Sequence, residues 1–150
     1  MYRFISFLVI TTFVSSVLYF YNESRHHHSS GHHTGHEEII IHIPNDITPP
    51  TITGEVKQDA SNSWLLKIET SQFTFTPEKT GLVTNSFHEG HAHLYINGER
   101  INRLYGPYYN LGNLQPGVHE IRVTLHANNH GVFAYRDNEI AFVETVEVYD

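Results

Sequence analysis

From Thr51 to Val148 the chain repeats one pattern: short runs in which apolar and polar residues alternate with a period of two, each closed by turn residues. Runs of this kind pair edge to edge and bury one face, which commits this part of the chain to β-structure. They cover residues 51–57, 64–73, 91–97, 108–111, 118–127 and 140–148. Between them lie Asp59-Ala60-Ser61-Asn62, Pro77-Glu78-Lys79-Thr80-Gly81, Gly112-Asn113, Pro116-Gly117 and Asp137-Asn138. Asn97-Gly98 predicts a tight hairpin joining 91–96 to 99–104. No stretch among these carries a helical apolar stripe, so the expected class is all-β, a Greek-key β-sandwich.

The amino-terminal third is different in kind. After Arg3, residues 4–21 are uncharged, close to the roughly 20 apolar residues that cross a bilayer as a helix. Residues 1–24 therefore read as a signal anchor or signal peptide. Cleavage after Ser16 would leave Val17-Leu18-Tyr19-Phe20-Tyr21 as an exposed apolar terminus, which favours an uncleaved transmembrane anchor. Tyr19 and Tyr21 then sit at the outer interface, and the domain lies outside the cytoplasm, in a periplasm or at a cell surface. Residues 25–43 begin with Arg-His-His-His-Ser-Ser-Gly and hold too little apolar surface to fold, so they are expected to form a flexible tether. Ile39 to Ile43 offers an edge strand, and Pro44, Pro49 and Pro50 mark the start of a sandwich over 44–150.

Composition narrows the function. A formal charge of -7 leaves no basic footprint for nucleic acid. There is no cysteine, and the only methionine is Met1, so disulfides and soft sulfur ligands are excluded. Thirteen histidines in 150 residues are the main anomaly. Imidazole without sulfur suits Cu(II) or Zn(II).

Leu114-Gln115-Pro116-Gly117-Val118-His119 resembles the corner that leads into the sixth strand of immunoglobulin-like and fibronectin-type domains, with His119 where a tyrosine is usual. The resemblance implies an immunoglobulin-like sandwich and a structural hydrogen-bonding role for His119. It also makes the third and sixth strands antiparallel neighbours. Strand phase puts Ala92, Leu94, Ile96, Ile121, Val123 and Leu125 toward the core, and His91, His93 and His126 outward on one face at one end. His88 and His130 lie at the same end and would complete a metal shell, with Glu89 a further ligand or a partner to one. His26, His27, His28, His32, His33 and His36 on the tether would form a weaker capture array.

The blocks Gly90-His91-Ala92-His93-Leu94-Tyr95 and Arg103-Leu104-Tyr105-Gly106-Pro107, with Phe73-Thr74-Phe75-Thr76-Pro77 and Leu125-His126-Ala127-Asn128-Asn129-His130, resemble a group of exported bacterial domains of poorly defined function. That resemblance implies His91, His93 and His130 as the firmer ligands, since the position of His126 is often Asn in the group. A strand His-x-His in a sandwich is also similar to copper/zinc superoxide dismutase. The cysteines and the metal-bridging loop of that enzyme are missing here, so no dismutase activity is implied. A histidine-brace oxygenase would need an amino-terminal His, and no credible cleavage site precedes one.

Two functions of different class remain. One is a membrane-tethered metal-handling protein, not an enzyme, holding Cu(II) or Zn(II). The other is an immunoglobulin-like interaction module that binds a protein partner through Tyr105-Gly106-Pro107-Tyr108-Tyr109 without metal. No Ser or Cys nucleophile has a recognisable base beside it, which leaves hydrolysis without support.

Overall fold

A computed structural model describes residues 2–26, 39–83 and 86–149, without the side chains of 3, 8, 9 and 18–26. The chain divides into two compact units, Met1–Glu37 and Glu38–Asp150.

The first unit holds helix α1, Tyr2–His26. It leaves Phe4, Ile5, Phe7, Ile10, Phe13, Val14 and Val17 exposed. Among the described residues no helix is long and apolar enough to cross a membrane. His26 is the last residue of α1, and the other proposed capture residues, His27, His28, His32, His33 and His36, lie outside the described residues.

The second unit is a sandwich-like pair of sheets built from β1 (Ile40–His42), β2 (Thr51–Gln58), β3 (Trp64–Ser71), β4 (Thr74–Phe75), β5 (Glu89–Ile96), β6 (Glu99–Leu104), β7 (Tyr108–Gly112), β8 (Gly117–His126), β9 (Val132–Tyr135), β10 (Asn138–Glu139) and β11 (Ala141–Val148). The smaller sheet is β2-β3-β7, antiparallel throughout. In the larger sheet β5 and β8 are central: β8 pairs with β5 on one side and with β11 on the other, while β6 and β4 pair with β5. β1 joins in parallel beside β9, so the sheet domain takes in residues amino-terminal to the boundary expected at 44.

The two sheets share one core. Ile52, Val56, Leu66 and Ile68 from the smaller sheet meet Ala92, Leu94, Ile121, Val123 and Leu125 from the larger. The five from the larger sheet are residues that the period-two pattern assigns inward, since alternate side chains of a strand leave the same face and one face must be removed from water. The expected hairpin is present, with Asn97 at φ 53° and Gly98 at φ 82°, the left-handed pair that a two-residue turn requires.

Candidate metal centre

β5 and β8 run antiparallel in a register that sets His91 opposite His126 and His93 opposite Thr124. Gly90 lets the strands close at this point. Its φ is 156°, and a Cβ there would overlap the carbonyl oxygen of His126. Past β8, residues 127–131 turn back toward the sheet: His130 N–H donates to the Ala127 carbonyl at 2.9 Å, and Ala127 N–H donates to Gly131 O at 2.8 Å. His130 adopts φ 71°, a left-handed conformation that a residue with a Cβ enters at a local energetic penalty. Asn128, wholly buried, bonds to Thr76 Oγ1 and fixes the base of this loop.

The result is a knot of imidazoles. His91, His93 and His130 each offer a ring nitrogen, all within 4.8 Å of one another. His91 Nε2 lies 3.0 Å from His93 Nε2 and 3.3 Å from His130 Nδ1. Two ligands of a tetrahedral ion with metal–nitrogen bonds of about 2.0–2.1 Å sit about 3.3 Å apart, so these spacings suit a shared ion. Without one, His91 Nε2 must serve two neighbours with a single proton or lone pair.

Burial departs from the sequence expectation. Strand phase directs His91, His93 and His126 outward, yet their exposures are 0%, 2% and 0%. The rings cover one another: His93 stacks on His126 at 3.8 Å, and His91 is flanked by His130 at 5.1 Å and by Tyr105 at 5.9 Å. Ala92, Leu94, Ile121, Val123 and Leu125 do line the core, and the second face is covered by the ring stack with His130 from the 127–131 loop against it. Burial pushes the His91 ring down to about 3, and the cost of placing a positive charge beside the His126 and His130 rings and Arg103 lowers it further. It pushes His93 down to about 2, with His126, His91, Arg100 and Arg103 adding to the effect. His130 is also lowered, first by burial and then by Arg103 and Arg100. His91 and His93 are therefore neutral near pH 7, the form that ligates metal. Their Nδ1 atoms are buried with no hydrogen-bond partner among the described residues.

His126 lies at the centre without joining the three-nitrogen group. Its Nδ1 faces the His130 carbonyl at 3.2 Å and its Nε2 faces Thr124 Oγ1 at 2.8 Å. Since a carbonyl only accepts, the geometry suits a ring that donates from Nδ1 to the His130 carbonyl, and the tautomer with its one proton on Nδ1 accepts at Nε2 from the Thr124 hydroxyl. His126 thus ties the His130 loop to the sheet. His88 is held elsewhere, its Nε2 2.9 Å from the Thr48 carbonyl. Glu89 is paired with Lys79 at 2.7 Å and is not one of the three. Strand phase puts Thr124 on the same face as His126, two residues on, but gives it no role; the structure makes it the partner of the His126 ring.

Compared with protein-family models, curated proteins and solved structures, the chain matches none. The likeness to exported bacterial domains thus rests on the quoted motifs alone.

Proposed function

We propose that the sandwich binds one divalent transition-metal ion, Cu(II) or Zn(II), through His91, His93 and His130, in the service of metal handling. The observation that carries this reading is the convergence of three ring nitrogens, two of them from rings almost wholly removed from water. Burying an imidazole with an unpartnered nitrogen costs about 1–3 kcal/mol, a cost that ligation of the opposite nitrogen offsets. In the finer architecture the sandwich is immunoglobulin-like. His119 supports this, since its Nε2 reaches the Gln115 carbonyl four residues upstream at 2.7 Å, as the corner tyrosine of such domains does. A His119→Tyr chain that failed to fold would count against that assignment.

Calorimetric titration of the full chain with Zn(II) and Cu(II) tests the site. One tight equivalent is expected above any weak binding by the tether. His91→Ala with His93→Ala should remove the tight equivalent and leave the weak one. Retention of the tight equivalent in that variant would refute the assignment.

We also propose that α1 tethers the protein to a membrane with the sandwich outside the cytoplasm, a reading supported by its exposed Phe4, Phe7, Ile10 and Phe13. Recovery of the intact chain in the soluble fraction after cell disruption would exclude it. The interaction-module reading retains one observation in its favour, the 61% exposure of Tyr108. It becomes the better account if neither metal binds.

A further inference from the structure

The three nitrogen ligands are neutral, so a bound divalent ion would keep its full charge. No carboxylate belongs to the group, and Glu89 is committed to Lys79. A divalent charge in a poorly hydrated site requires a compensating anion. The neighbouring strand instead supplies more positive charge. In the β5–β6 register Arg103 lies opposite His93 and Arg100 opposite Tyr95, with a bulge between Leu94 and Tyr95. Directly paired residues project from the same face of a sheet, so both arginines stand on the histidine side. Both are exposed, whereas His91 and His93 are buried, so the guanidiniums reach solvent from the strand beside the knot.

Arg122, on the same face, shows what a satisfied arginine looks like here: it is ion-paired with Glu139 and lies over the Tyr95 ring. Among the described residues neither Arg100 nor Arg103 has an ion pair. Two unpaired guanidiniums beside a cation site are repulsive unless something negative sits between them and the ion.

Building on the proposed metal site, we propose that the ion's remaining coordination position is taken by an exogenous carboxylate, clamped by Arg100 and Arg103. Three protein ligands leave a fourth position open, as in sites that accept an outside ligand. A guanidinium fork matches the two oxygens of a carboxylate, and a carboxylate cancels the charge that three imidazoles cannot. Anion and ion would then bind with positive coupling, each raising the affinity of the other by the same factor.

Co(II) is a suitable probe, because its visible absorption reports changes in coordination. The full chain is loaded with one equivalent and titrated with acetate, alongside Arg100→Gln with Arg103→Gln and, to subtract the tether, His91→Ala with His93→Ala. Acetate should change the wild-type spectrum saturably, and the arginine double variant should bind acetate at least about tenfold more weakly. The same variant should bind Co(II) more tightly than wild type when no acetate is present, because a repulsive pair of charges has gone. A merely structural role for the arginines would weaken both. Saturation unaffected by the arginine substitutions, or no response of a loaded site to acetate, overturns the carboxylate and leaves the metal site standing. A wild-type spectrum identical to that of the histidine variant overturns both.

Discussion

In β3 burial alternates: Leu66 and Ile68 are sealed in the core, while Leu65 is 38% exposed and Glu69 faces water. In β5 the run from Gly90 to Leu94 is buried without a break. Both strands carry the same period of two, and both send their apolar positions into one shared core. They differ in what lies on the second face, which is water and charged side chains over β3 and a packed stack of imidazoles over β5. A strand buried on both faces has no solvent side on which errors of size or charge are absorbed. The β5–β8 pair should therefore be both the most sensitive and the most chemically specialised part of the domain.

Glycine substitution gives the strongest way to break that contrast. At Gly90 a Cβ would overlap backbone of the partner strand, and no rotamer change relieves that. Gly98, at the tip of the β5–β6 hairpin with φ 82°, has open space around it. Gly90→Ala should destabilise the domain by about 4 kcal/mol or more, and Gly98→Ala by about 1 kcal/mol, through backbone strain alone. Urea unfolding midpoints of the two variants check the difference. Similar midpoints would mean that the β5–β8 contact yields easily.

Acid supplies a second, smaller test, and its sign follows from the buried rings. In the unfolded chain His titrates near 6.5. In the folded metal-free domain His91 and His93 resist protonation until about 3 and about 2. Below pH 6.5 the unfolded state therefore binds protons that the folded state refuses, and stability falls until the folded values are reached. Each ring contributes a loss of about 1.4 kcal/mol per pH unit, so the pair should cost close to 3 kcal/mol by pH 5.5. Thermal unfolding across pH 7.5 to 4 should show this slope, and replacing both rings by Leu should flatten it. An unchanged slope would locate the acid sensitivity elsewhere.

Much of this was legible in the sequence, for reasons that particular residues make plain. Ala92, Leu94, Ile121, Val123 and Leu125 could be assigned inward because alternation is a local property of a strand. The juxtaposition of His91 and His126 followed once the corner around His119 suggested which strands are neighbours. Burial of the histidine face did not follow, because it depends on a loop at 127–131 whose path is set by Asn128, Thr76 and a left-handed His130, none of which leaves a periodic signal. The capture of His88 by Thr48 was hidden too, since that contact spans 40 residues of chain. A carbonyl at that distance in sequence has no signature.

The finest test asks whether the second face of β5 was shaped for stability or for a ligand. A core built for stability would place an aliphatic side chain at position 93, where an imbedded imbalance of donors and acceptors now leaves Nδ1 unpartnered. Leu has a volume close to that of His and no polar atom to desolvate, so His93→Leu should raise metal-free stability by about 1 kcal/mol. It should at the same time abolish the rise in melting temperature expected of the wild-type domain with Zn(II), since a ligand that binds only the folded state stabilises it by an amount that grows with the logarithm of its affinity. Leu66→Ala, on the conventional side of the sandwich, should behave in the opposite way: a loss of about 2–5 kcal/mol with the response to Zn(II) retained. Melting curves of both variants with and without metal decide the matter. A His93→Leu domain that is less stable than wild type without metal would show that the imidazole stack is itself a packing device, and that the comparison between the two strands concerns shape alone.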